Sequence, residues 1–421
     1  MSNAMSEGAR HPGLQAILNK LHRGVAVSDA ELWQLQRQIA DLEHRARSHR
    51  RDAAGSDHGP GPATVGPTLP GHATCEAIER RVADPDRGIA AMRYTLEQGT
   101  LISRIGIGTY RGAADDQTDA AYTETIHAAL RAGINVIDTS LNYRGQRSER
   151  AAGAGLRRFI EDSDGRRDEV LVCTKGGYLV PEAITPGTLA PDDVVDGDHA
   201  IAPAFLADQI DRSCRNLGLE TLDVYYLHNP EVQLKVMARR AFMDRMRAAF
   251  ERLERAVSDG AIRYYGTSTW SGYRDGSLSL PELATVAHQL AGDHHHFRFV
   301  QLPCNFGMQE ALTHRGAGGR SVLELARELG ITVIASASLL QGRLAQDLPE
   351  EIVPMLPGMD TDAQRALQFT RSTPGIAVAL VGMTSTAHLA ENLAVTRAPP
   401  LTPAQHRRLR AALSRIISPK R

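Results

Sequence analysis

The sequence predicts an α/β protein whose main body is a closed parallel (β/α)8 TIM barrel, preceded by an N-terminal helical extension and linker. Three observations predict it. Eight short apolar or β-branched runs recur between residues 104 and 381, with longer amphipathic stretches between them. Most of these runs are continuously apolar, the pattern of strands covered on both faces. No G-x-G-x-x-G fingerprint comes after an early run, which removes the main support for an open doubly wound sheet.

The runs lie at residues 104–107, 135–137, 169–173, 223–227, 262–265, 299–302, 331–335 and 377–381. The stretch 239–260 sets Phe242, Met246, Ala249, Leu253, Ala256 and Val257 on one helical face and stops at Gly260. Residues 321–330 and 361–372 behave in the same way. Alternation of this kind closes into a barrel. Connections from helix to strand are short. The strand-to-helix connections from Gly176 to Pro203 and after His228 are long, and that side of a barrel carries its chemistry.

Ahead of the barrel the composition shifts twice. Residues 1–51 are expected to form the helical extension, with Met1 to Ala4 tag-like and Met5 the native start. Ser28-Asp29 opens a helix with Leu32, Leu35, Ile39 and Leu42 at helical spacing. Its Arg-rich end, Arg45 to Arg51, reads as solvated surface. Residues 52–97 read as linker and connecting segment, with Gly59-Pro60-Gly61-Pro62 inside and a short helix between 74 and 92. Residues 98–421 are expected to be the barrel. A chain starting near Asp84 is expected to fold and work, because few contacts cross a linker of this composition.

Charge excludes some functions. Lys+Arg total 48 against Asp+Glu 49, a formal net charge of -1. That balance does not suit a nucleic-acid surface or a polybasic membrane anchor. No apolar run approaches the roughly 20 residues of a transmembrane helix, and the N-terminus is no signal peptide. Cys75, Cys173, Cys214 and Cys304 show no paired spacing and fit reduced thiols, so a cytoplasmic location is expected. His294-His295-His296 precedes the sixth run, on the face away from the chemistry, and no metal is expected there.

Four polar residues stand at or just past consecutive strand ends: Asp138, Tyr143, Lys175 and His228. Singly, each has an ordinary reading as helix cap, packed ring, surface charge or turn residue. Together they share one rim, and their types suit one reaction. Reduction of a carbonyl builds negative charge on its oxygen, which needs a proton. A tyrosine supplies it best beside an ammonium, a carboxylate holds that ammonium, and a histidine N–H polarises the oxygen.

At these residues the chain closely resembles the aldo-keto reductase superfamily. The resemblance rests on Asn135 to Tyr143, Cys173-Thr174-Lys175, Tyr225-Tyr226-Leu227-His228, Gly266-Thr267-Ser268, Gln301 to Asn305, and Val381-Gly382-Met383 through Leu389-Ala390-Glu391-Asn392. It implies a catalytic tetrad of Asp138, Tyr143, Lys175 and His228, with Tyr143 as general acid. It also implies NAD(P)H lying across the barrel top. Ser268 and Gln301 would face the nicotinamide carboxamide, and Ser385, Glu391 and Asn392 the adenosine end. Gly108, Thr109, Leu339, Gly342, Gly382, Thr384 and His388 complete the implied cofactor set.

The chain departs from the pattern in three places. Arg144 stands where a glycine usually comes after the tyrosine, and with Arg147 it would either favour an anionic substrate or pair with Glu149. Ser336 takes the place of a stacking tyrosine, and Thr269 that of an asparagine. Thr384 and His388 bring no fixed positive charge to the positions where NADPH-preferring relatives carry basic residues. Hydroxyls there suit the ribose of NAD, so NAD(H) is expected over NADP(H). The expected partner is a small carbonyl or alcohol, a sugar included. The rival reading is a cofactor-binding barrel that serves as sensor or interaction subunit with little turnover.

Overall fold

The computed structural model describes residues 67–84, 93–162, 165–180, 183–316 and 318–417. The expected extension over 1–51 and the linker up to residue 66 lie outside the described residues.

The first described elements close the N-terminal end of a barrel. Helix α1 (Cys75–Ala83) begins at Thr74, whose hydroxyl oxygen accepts from Ala77 N. Strands β1 (Tyr94–Glu97) and β2 (Thr100–Ser103) form an antiparallel hairpin. Its turn residues Gln98 and Gly99 both take positive φ, 48° and 67°, the handedness that matches strand twist. The boundary expected at residue 98 falls in this turn, so it divides the hairpin between linker and barrel, whereas the hairpin is a single unit.

From there strands and helices alternate: β3 (Ile105–Gly108), α2 (Asp116–Arg131), β4 (Val136–Asp138), α3 (Arg147–Glu161), β5 (Leu171–Gly176), α4 (Pro203–Leu217), β6 (Leu222–His228) and α5 (Arg239–Ser258). Then come β7 (Ile262–Ser268), α6 (Leu280–Ala291), β8 (Phe297–Pro303), α7 (Glu310–Thr313), α8 (Val322–Glu328), β9 (Thr332–Ser336), α9 (Asp362–Arg371), β10 (Val378–Gly382), α10 (Thr386–Ala394) and α11 (Pro403–Ile417). Strands β3 to β10 close into a barrel of eight, each parallel to its neighbours, with β10 returning to β3. Each coincides with one of the eight runs.

Every residue of β4, β5 and β6 is buried. The inner layer packs Val136, Leu171, Val224, Tyr226, Phe299 and Ile334. The outer layer is the larger apolar body between strands and helices. At Gly266 a Cβ would meet Phe299 O at 1.9 Å, so only glycine lets β7 and β8 approach this closely.

The N-terminal end of the barrel carries buried charge. Asp223, at the start of β6, accepts from Ala73 N at 2.7 Å, Val172 N at 2.8 Å and the Arg167 guanidinium at 2.6 Å. Arg81 of α1 bonds Glu169 at 2.9 Å and Leu130 O at 3.0 Å. Residues 67–84, which read as connecting segment, are thus docked on the barrel through named polar contacts.

Candidate active site

The other rim gathers the predicted residues. Asp138 ends β4 in register with Cys173, Lys175 pairs with Tyr226, and His228 ends β6 opposite Ser268. Tyr143 comes after β4 in a tight turn, its N–H bonded to Ser140 O at 3.0 Å. The turn brings the phenol over the strand ends. Lys175 Nζ donates to Asp138 Oδ1 at 2.7 Å, Thr139 O at 2.8 Å and Tyr143 OH at 3.4 Å. The His228 ring stands edge-on to Tyr143, centroids 5.8 Å apart.

Burial sets the protonation states. Desolvation pushes the Tyr143 phenol up to about 12, against a downward pull from Lys175. The phenol therefore carries its proton at neutral pH. For Lys175 burial opposes the charge, yet Asp138 and Tyr143 outweigh it and hold the ammonium above its ordinary value. His228 is driven well below the usual range by burial, with Lys175 and His199 adding to the effect. It is a neutral imidazole. The site thus holds a fixed positive charge beside a protonated phenol and a neutral ring, an arrangement that can give a proton to a developing oxyanion.

The predicted cofactor residues fall into four groups. Gly108 and Gly382 are register partners on β3 and β10, with Thr109 just beyond. Ser268 Oγ donates to Gln301 Oε1 at 2.9 Å, and Gln301 Nε2 donates to Asp138 Oδ2 at 2.7 Å, which ties this pair to the tetrad. Leu339 and Gly342 flank a turn after β9 in which Gln341 and Gly342 take φ of 57° and 90°. Thr384, Ser385, His388, Glu391 and Asn392 cluster at and along α10, where Ser385 Oγ caps the helix by accepting from His388 N. These residues fit an elongated polar cofactor. Ser338 Oγ and Asn392 Oδ1 are buried and, among the described residues, have no hydrogen-bond partner, which suits a partner from a bound molecule or water.

One expectation on charge needs correction. Arg144 and Arg147 do not pair with Glu149. Arg144 bonds Ala113 O at 2.7 Å and Asp119 at 2.5 Å, and Arg147 bonds Asp116 and Asp119. Glu149 is wholly buried and instead accepts from Thr174 at 2.6 Å and Asn216 at 2.8 Å. Positions 147 and 149 lie two apart on α3 and so face different neighbours. Thr269 bonds Glu231, a buried carboxyl that also accepts from Gly272 N at 3.2 Å. Ser336 ends β9 half-buried at the rim.

Sequence reasoning passed over several rim residues. Tyr110 is 56 % exposed and packs edge-on to Tyr143, centroids 5.0 Å apart. Tyr178 packs edge-on to His228 at 5.0 Å, and its hydroxyl accepts from Asn229 Nδ2 at 2.9 Å. His199, from the long loop after β5, is buried beside His228 O, 2.7 Å from its Nε2, and its Nδ1 lies 2.8 Å from Gln233 Nε2. The signal for the two tyrosines was their place two residues past a strand end. His199 had none, because a long loop hides which residue turns inward.

The fold and this rim are those of a barrel oxidoreductase. The sequence profile described as the aldo/keto reductase family matches residues 104–414, and the chain belongs to that family. Among curated relatives, 6-dehydroglucose reductase of Novosphingobium aromaticivorans is 26% identical over 314 residues, covering 72% of this chain and 88% of that protein. Aldo-keto reductase YhdN of Bacillus subtilis is 26% identical over 272 residues, covering 62% of this chain and 66% of that protein. Among solved structures, an aldo/keto reductase from Klebsiella pneumoniae in complex with NADP and acetate superposes with a TM-score of 0.55 at 20% identity, covering 77% of this chain and 95% of the other. Glycerol dehydrogenase from Gluconobacter oxydans gives 0.57 at 18%, covering 79% and 98%. The two structures bear on the fold. Among the described residues no helix is long and apolar enough to cross a membrane.

Proposed function

We propose that this NAD(P)-dependent oxidoreductase reduces an aldehyde or ketone to an alcohol, with Tyr143 as the general acid. The observation that carries the reading is Lys175, buried with its ammonium 2.7 Å from Asp138 and 3.4 Å from the Tyr143 hydroxyl. When bound, the nicotinamide supplies the hydride. Tyr143 OH gives its proton to the carbonyl oxygen as negative charge develops there. Lys175 steadies the phenolate left behind, and Asp138 holds Lys175 in place. His228, neutral, orients the oxygen from the side. Ser268 and Gln301 are placed to receive the carboxamide, and the α10 group the adenosine end.

A sensor with little turnover has no need of a protonated tyrosine backed by a buried ion pair, so the enzyme reading is preferred. The carboxylate-bound state of Arg144 and Arg147 takes away the support for an anionic substrate. A sugar or polyol carbonyl is in keeping with the names of two relatives, 6-dehydroglucose reductase and glycerol dehydrogenase.

For the cofactor, the chain's own residues favour NAD(H): Thr384, Ser385, Thr386 and His388 bring hydroxyls and an imidazole rather than Lys or Arg. The NADP and NADPH bound in the Klebsiella structures favour the opposite reading. One set of measurements addresses both points. Tyr143→Phe is expected to lower kcat/KM for a panel of aldehydes, ketones and oxidised sugars by about 100-fold or more, with cofactor affinity little changed. Fluorescence titration is expected to show NADH binding more tightly than NADPH. Activity within a few-fold of the parent removes Tyr143 as the acid, and NADPH binding tenfold more tightly, about 1.4 kcal/mol, reverses the cofactor preference.

A further inference from the structure

His228 is neutral, so which ring nitrogen holds its single proton decides what it offers the pocket. Among the described residues, the ring nitrogen that meets a protein hydrogen-bonding group is Nδ1, 3.3 Å from Ser140 Oγ. Nε2 is left for the pocket. Ser140 is wholly buried, and its hydroxyl also lies 2.7 Å from Asn142 Oδ1 and 3.2 Å from Lys175 O. A hydroxyl has one proton to give and lone pairs to receive. If the proton goes to Asn142 or to Lys175 O, Oγ can only accept at Nδ1, the proton sits on Nδ1, and Nε2 shows a lone pair to an incoming carbonyl oxygen. If the proton goes to Nδ1, Nε2–H points into the pocket and can donate. Turning the Asn142 amide so that Nδ2 faces Ser140 shifts the balance toward the second state, because Asn142 then donates to Oγ and the longer contact to Lys175 O is the acceptor left in competition with Nδ1.

We propose that Ser140, governed by the side-chain amide of Asn142, is a positioning residue that selects the His228 tautomer. The reduction-competent state is the one in which Ser140 donates to Nδ1 and Nε2 carries the proton. Alcohol oxidation runs back through the same transition state and so needs the same tautomer. The inference rests on the proposed carbonyl reduction for its kinetic arm alone.

The decisive substitution is Asn142→Asp, which puts a permanent acceptor against Ser140 Oγ and draws the hydroxyl proton away from His228. It is expected to lower kcat/KM for carbonyl reduction by about tenfold or more, and that for alcohol oxidation in parallel, since the two share one transition state. Ser140→Ala, which removes the selector, is expected to fall between Asn142→Asp and the parent. The reading independent of turnover is the nitrogen-15 spectrum of histidine-labelled protein, with the His228 signals identified by their loss in His228→Gln. The parent with cofactor bound is expected to show the proton on Nε2, and Asn142→Asp to show it on Nδ1. One tautomer in the parent and both variants overturns the proposal, even where activity falls. If the tautomer shifts while Tyr143→Phe stays active, the selector stands and the general-acid assignment fails instead.

Discussion

Arg144 comes directly after Tyr143, the proposed general acid, in left-handed backbone, φ 53°. A side chain there costs about 1 kcal/mol relative to glycine. Arg144 offsets this by reaching across to the loop after β3: its guanidinium bonds Ala113 O at 2.7 Å and Asp115 O at 3.2 Å, pairs with Asp119, and lies over the Tyr122 ring. It therefore fastens the Tyr143 turn to the segment that carries Tyr110. Replacing Arg144 separates the two contributions. Arg144→Ala loses the clamp and keeps the strained backbone, whereas Arg144→Gly loses the clamp and relieves the strain. Urea unfolding is expected to find the alanine variant less stable than the glycine variant by about 1 kcal/mol. Equal stabilities would mean that the backbone at 144 carries no strain.

At the scale of elements, α1 and the hairpin behave as part of the barrel. Ala73 N on Asp223 and Arg81 on Glu169 are buried bonds, and Tyr94 OH donates to Gly133 O at 2.5 Å. A chain beginning at Pro60 keeps all three, while one beginning at Asp84 leaves Asp223 and Glu169 each short of a buried donor. Orphaned groups of this kind cost about 1–3 kcal/mol each. The shorter chain is therefore expected to melt well below the longer one in calorimetry. Coincident melting would restore residue 84 as a usable start.

The sequence announces elements of this molecule unevenly. The eight barrel strands are legible because each is covered on both faces and so has no polar alternation to blur it. The hairpin is not, because Tyr94-Thr95-Leu96-Glu97 is half-exposed and its Gln-Gly turn is a weak signal. The tetrad is legible because strand ends converge, whatever fills the loops. Partners of Arg144 and Arg147 are not, since Asp116 and Asp119 lie on a different helix, brought near by the closing of β3 beside β4.

Over the whole molecule, several histidines are buried in neutral form. Burial lowers His199 and His406 from 6.5 to about 4, and also holds His228 well below its usual range. The unfolded chain binds protons at these positions between pH 6.5 and about 4 while the folded chain does not. Stability from them is therefore full above 6.5 and is lost as pH falls toward 4. Glu149 and Glu231 act in the opposite sense, since burial raises both and favours the folded state until they ionise. A difference isolates the histidine part. The melting-temperature gap between the parent and His199→Gln is expected to narrow on going from pH 7.5 to pH 5, where the unfolded parent, unlike the unfolded variant, gains a proton at residue 199. A gap that is constant with pH would show that His199 titrates normally.

The bond between the His199 ring and the backbone of His228 has one more consequence, for how this barrel can change its substrate. In a barrel whose specificity loops hang free of the strands, pocket shape and reaction machinery can diversify separately. Here the loop after β5 is pinned to His228, the residue proposed to orient the substrate oxygen, with Gln233 gripping the other side of the pin. Lengthening or reshaping that loop to admit a bulkier compound moves the anchor of His228 as well. New specificities in this lineage are thus more easily reached through the part of the β3 loop beyond Thr109, where the contacts with the rim include the Tyr110 ring on Tyr143 and the Arg144 clamp.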